Sequence, residues 1–168
     1  MGLAAISVVL ALPASATSGT KDQSGTAVAS CVNSVTGQNE GTFTYNGVQV
    51  AWPPNHKYRE ATVTLTDDDN DPLNDVTVAV SGSHNQIGEN GKELVGSGHT
   101  DSTTDTLPGA GSGSDGSASA VFFFRGERSG TEQAGRTYEF TATGTTDNGL
   151  TECKPVKFTA FVPHDQGH

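Results

Sequence analysis

The feature that most limits how this chain can fold is a two-residue rhythm of threonine against apolar side chains. Ala61, Val63 and Leu65 alternate with Thr62, Thr64 and Thr66, and Val76, Val78 and Val80 repeat the pattern. It returns in Tyr138, Phe140 and Ala142, and again in Val156, Phe158, Ala160 and Val162. Successive side chains of a strand point to opposite faces, so each segment offers one apolar face to a core and one polar face to water. Beyond the first sixteen residues no segment sustains the 3.6-residue period of a helix. Val121, Phe122, Phe123 and Phe124 form a continuous apolar run, which suits a central strand covered on both faces or a strand whose second face meets a partner. Phe43 and Tyr45 also alternate with threonines, and Asn46-Gly47 followed by Val48 and Val50 predicts a two-residue hairpin turn. Trp52 ends that hairpin against Pro53 and Pro54, which cannot donate to a ladder. About seven short strands joined by Gly, Asn and Asp turns predict an all-β antiparallel sandwich.

The segments outside this rhythm read differently. Residues 1–16 carry no charge and run apolar from Leu3 to Leu12 before Pro13 and the triplet Ala14, Ser15, Ala16. That is the pattern of a secretory signal peptide with an A-x-A cleavage site, and the run is only about half the roughly 20 residues of a spanning helix. The chain is therefore expected to be secreted or held at the cell surface, with no membrane span. Residues 17–30 are small and polar, too poor in large apolar groups to be fixed by packing, and predict a flexible leader before a domain over 31–168. Residues 81–120 contain 9 Gly and 8 Ser and no Phe, Tyr or Trp. They predict one long Ser/Gly-rich loop with at most a short edge strand near Glu93–Val95.

Charge and cysteine usage narrow the partners. Nineteen acidic against nine basic residues leave a net charge of -10, which repels phosphate backbones, so nucleic acid is not an expected partner. In an oxidising compartment the two cysteines, Cys31 and Cys153, are expected to bond to each other. Such a bond closes most of the chain into one loop, and loop-closure entropy values it at about 4 to 5 kcal/mol.

Five motifs occur in order: Trp52-Pro53-Pro54-Asn55-His56-Lys57, the acidic turn Asp67-Asp68-Asp69-Asn70-Asp71-Pro72, the E-R-S-G segment Arg125-Gly126-Glu127-Arg128-Ser129-Gly130, Gly135-Arg136-Thr137-Tyr138, and Val162-Pro163-His164-Asp165. From Cys31 to His168 the chain thereby resembles a family of immunoglobulin-like modules of secreted and surface bacterial proteins. The resemblance implies an Ig-like sandwich in an extracellular protein and carries no enzymatic activity with it.

Two constellations are candidate sites. Asp67, Asp69 and Asp71 alternate in the acidic turn, and three hard oxygen donors at that spacing suit Ca²⁺, although Pro72 stands where an EF-hand turn needs Gly. A solvated turn reads the same way, since Asp and Asn are good turn formers. Trp52, Tyr45 and Tyr58 are the candidates for an aromatic platform that binds a sugar, against the alternative that Trp52 caps the core. No H-E-x-x-H, no G-x-S-x-G and no phosphate-binding glycine loop occurs. The chain is thus expected to act by binding or assembly, with extracellular proteins, further copies of itself or surface glycans as partners.

Overall fold

The structure, a computed structural model, describes residues 21–55, 57–67, 76–83, 87–89, 92–93, 104–113, 116–126, 133–146 and 151–164. Among these there are strands and no helix, so none is long and apolar enough to cross a membrane. The strands are β1 (Gln23–Val32), β2 (Asn39–Val50), β3 (Tyr58–Asp67), β4 (Val76–Ser83), β5 (Ile87–Glu89) and β6 (Lys92–Glu93). They continue with β7 (Thr104–Gly113), β8 (Ser117–Arg125), β9 (Arg136–Thr146), β10 (Thr151–Glu152) and β11 (Val156–Val162).

The ladder runs β6-β5-β8-β3-β2-β11-β9-β4-β7, with β1 added to β2 and β10 to β9. Every strand pair is antiparallel except β2 with β11, which meet in parallel at the single pair Val50 and Phe161. At one end of the path β7 also lies against β8, two strands in from the other end, and the sheet is nearly a barrel. The alternating segments of the sequence are β3, β4, β9 and β11, and their apolar phase points inward. Val63, Leu65, Val80, Tyr138, Phe140, Ala142, Ala160 and Val162 are all fully buried.

Phe140 is the centre of that interior. Its ring lies 5.0 Å from Phe122, 5.2 Å from Phe124, 6.1 Å from Tyr45 and 6.4 Å from Tyr138. Aromatic pairs in this range contribute about 0.5 to 1.5 kcal/mol beyond the area they bury. The apolar run resolves into one inward and one outward phase: Phe122 and Phe124 are buried, Phe123 is half-buried and Val121 is 46% exposed. Only one face of β8 is covered by the core.

Three expectations give way. Asn46-Gly47 is not a hairpin turn, because β2 runs straight through it and pairs Asn46 with Thr62 and Gly47 with Ala61. Gly47 serves close packing here: a Cβ on it would stand 2.7 Å from the Ala61 Cβ. Most of the expected leader is β1, whose backbone pairs with β2 from Gln23 to Val32 and needs no large side chain to do so. Likewise the Ser/Gly-rich segment is not all loop, since β7 pairs with β4 over Thr104 to Gly113. The register slips opposite Val78–Val80, where Pro108 lacks an N–H to give. Of the short edge strand foreseen near Glu93–Val95, the described part is β6 at Lys92–Glu93.

Truncating the central ring tests this core. Phe140→Ala is expected to cost about 3 to 5 kcal/mol in urea unfolding, whereas Thr143→Ala on the exposed phase is expected to stay within about 0.5 kcal/mol.

Candidate functional site

The link from β2 to β3 holds a polar cluster whose centre is an arginine on an apolar phase. Arg59 precedes Ala61, Val63 and Leu65 by the same two-residue step, so the pleat that buries them turns Arg59 inward as well, to 6% exposed. A guanidinium there must satisfy its donors, and the loop supplies the acceptors. Nη1 donates to the Lys57 carbonyl (2.6 Å) and Asn55 Oδ1 (3.0 Å), and Nη2 donates to the Pro53 carbonyl (3.0 Å). Nη2 also meets Asp22 Oδ1 at 3.2 Å, and Nε lies 3.3 Å from both oxygens of that carboxylate. Asp22 Oδ1 accepts from the Trp52 backbone N–H as well (2.7 Å). One side chain therefore ties the loop Trp52–Lys57 to the residue that opens β1.

The loop's own chemistry fits that grip. The Trp52-Pro53 peptide is cis, the Asn55 N–H donates to the Pro53 carbonyl (2.8 Å), and the Lys57 N–H donates to Asn55 Oδ1 (3.3 Å). Asn55 is thus an Asx turn that also aims its oxygen at Arg59. From the far side Gly126 donates its N–H to the Lys57 carbonyl (2.9 Å), and a Cβ on Gly126 would stand 2.4 Å from Arg59 Nη1. Gly126 is the second residue of the Arg125–Gly130 segment, and it sets that segment's described start against Arg59 and the Trp52–Lys57 loop.

The aromatic candidates do not form one platform. Tyr45 lies in the core at 1% exposed, its hydroxyl donating to the Val48 carbonyl (2.8 Å) and its ring stacked at 5.6 Å on Phe158. It is out of reach of a surface sugar, because the apolar phase of β2 turns it inward beside Phe43. Burial holds its hydroxyl above the ordinary tyrosine range. Trp52 and Tyr58 are both half-buried, Trp52 in the clamped loop and Tyr58 at the first position of β3 opposite Arg125.

Of the acidic candidates, Asp67 ends β3 on the buried phase at 6% exposed, with its N–H donating to the Gly116 carbonyl (2.7 Å). Asp69 and Asp71 lie outside the described residues. Among the described residues no three His, Cys, Asp or Glu side chains gather at metal-holding distance. Cys31 and Cys153 are paired with Cα atoms 5.0 Å apart, and Asn33 bridges to Cys153 beside them.

Arg59 and Asp22 are the site residues that motif reading missed. The signal for Arg59 was in the alternation itself, which placed a charge in step with Ala61, Val63 and Leu65. Arg136 carries the same signal ahead of Tyr138, Phe140 and Ala142, and it is 1% exposed. Nothing in the sequence singled out Asp22, whose role depends on where β1 begins. A scan of protein-family models and a search of curated proteins both find no match for this chain.

Two outcomes check this geometry. Arg59→Leu removes the shared donor of the Pro53 and Lys57 carbonyls and is expected to cost about 1 to 3 kcal/mol, while Asp22→Asn, at a carboxylate 39% exposed, is expected to cost under about 1 kcal/mol. Emission from the single tryptophan reports loop rearrangement in both variants. The Tyr45 hydroxyl keeps its proton when folded at a pH where the unfolded chain releases it, so its contribution is complete below about pH 10 and is lost as pH rises further. Tyr45→Phe is expected to flatten the fall of stability between about pH 10 and 12, read by urea midpoints across that range.

Proposed function

We propose that the chain is an extracellular, non-enzymatic module of immunoglobulin-like type with a structural or adhesive role. The order β2-β3-β8-β5 supports it, because it matches the A-B-E-D row of an immunoglobulin sandwich when β11-β9-β4-β7 is set against it as G-F-C-C′. Two features depart from that scheme: β5 precedes β7 in the chain, and the disulfide brackets the module from outside the B and F strands.

That bracket is the observation that carries the role. Cys31 sits near the end of the first strand and Cys153 in the last hairpin, 122 positions apart in sequence. Tension between the chain's two ends crosses from Cys31 to Cys153 through the covalent bond, so the ladders formed wholly between the cysteines are outside the load path, while β1 and β11, which lie mostly or wholly beyond the bracket, bear it. An enzyme has no need of such a bypass, whereas a link in an extracellular structure benefits from it, and a disulfide persists in that compartment. A glycan-binding role is the second reading, and it is weaker because Tyr45 belongs to the core and leaves Trp52 and Tyr58 as its rings.

Single-molecule stretching from both termini tests the reading. The oxidised chain is expected to extend without releasing the segment between the cysteines, and reduction is expected to add about 40 nm of contour, the span of 122 residues at roughly 3.4 Å each. Equal contour lengths before and after reduction would remove the load-bearing role.

A further inference from the structure

We propose that the outer edge of β1 is a self-pairing site, along which a second copy of this chain lays its own β1 in antiparallel register. The inference rests on the extracellular-module reading and names the partner for it. Among the described strands β1 pairs only with β2, and its register is unbroken from Ser24 to Cys31. At its far end the other side is taken, where the Lys154 N–H donates to the Val32 carbonyl and Asn33 bridges to Cys153. From Ser24 to Ser30 no described strand pairs with that side, which makes it the kind of edge that proteins ordinarily blunt with charge, proline, bulges or brevity.

Other edges among the described strands carry those devices. β7 has Pro108 and the register slip opposite Val78–Val80. β5 and β6 are three and two residues long and include Glu89, Lys92 and Glu93. The side of β11 away from β9 touches β2 at one pair only, but its outward phase holds Lys157, ion-paired at 2.7 Å with Glu139. From Gln23 to Val32, β1 has no charge and no proline.

Burial along β1 also shows cover that is incomplete. Val28 is 53% exposed, and Gly25, Ala27 and Ala29 on the inward phase are only half-buried although both alanines pack against the core. The edge is held in shape at both ends. Asp22 is gripped by Arg59 and the Trp52 N–H at the start, and at the finish Cys31 is bonded to Cys153 while Lys154 donates to the Val32 carbonyl (2.8 Å). Little further ordering is needed for a strand to add to it.

A second copy fits this edge better than a foreign strand. Added strands gain specificity from pockets for alternate side chains, and Ser24, Gly25, Thr26, Ala27 and Ala29 build none. Small residues on both faces let two sheets meet edge to edge without collision, and a two-fold axis makes the patch its own complement. In a chain of net charge -10, β1 is also a place where two copies approach without opposing carboxylates.

The experiment is sedimentation of the oxidised full chain over a wide concentration range, with amide hydrogen exchange at each concentration. A reversible dimer is expected, and amides of Ser24 to Ser30 are expected to slow as it forms. Ser24→Lys with Val28→Lys alters two side chains exposed on the outer phase, so the monomer's thermal midpoint is expected to hold. Like charges across the new pair are expected to weaken the dimer at least about tenfold. Mixing that variant with Ser24→Glu, Val28→Glu is expected to restore pairing. A monomer at every concentration, or a dimer indifferent to both variants, would overturn the inference. If such a monomer still shows the disulfide-limited extension under force, the module reading stands without self-pairing; loss of that extension overturns the module reading itself.

Discussion

The burial of one aromatic cluster around Phe140 is the constraint on which the other arrangements depend. Phe122 and Phe124 come from β8, Tyr45 from β2, and Tyr138 and Phe140 from β9, so the cluster joins the two halves of a ladder that touch at one parallel pair. Hydrogen bonds between strands are satisfied almost as well by water in the unfolded chain, and their net contribution is about 1 kcal/mol each. Removing five large rings from water is what favours closing the sheet on itself.

Once that interior exists, a position on the inward phase of β3 or β9 inherits its dielectric, whatever residue stands there. Arg59 and Asp67 lie at opposite ends of the β3 phase and Arg136 at the start of the β9 phase, and all three are nearly excluded from water. Arg59 shows how such a position is made tolerable, with acceptors drawn from the loop, from Asn55 and from Asp22. The Trp-Pro-Pro-Asn loop acquires its shape by satisfying a buried cation, which is why the most conspicuous motif in the sequence sits beside a residue no motif contains.

Where the sequence was legible, large apolar side chains carried the signal. β3, β4, β9 and β11 could be read because their inward residues are bulky and their outward ones are mostly threonine. β1 and β7 could not, because Ser, Gly and Ala look the same in a loop and in a strand at the rim of a sheet, where backbone pairing alone decides the conformation. Asn46-Gly47 misled for a related reason: the small residue that suits a tight turn equally suits a strand crowded by Ala61 and the Tyr45 hydroxyl. Of the site, the loop Trp52–Lys57 was visible as a motif and Cys31–Cys153 as a pair, while Asp22 was not.

By itself the sequence determined the all-β class and the inward face of β3, β4, β9 and β11, and its two cysteines allow one pairing, because period, side-chain size and cysteine count are local or compositional properties. The tertiary structure alone decided that β1 belongs to the sheet, that Tyr45 serves the core, and that Asp22 meets Arg59 across 37 positions. Those outcomes depend on which surfaces come together when the ladder closes, and a short stretch of chain holds no record of its distant neighbours.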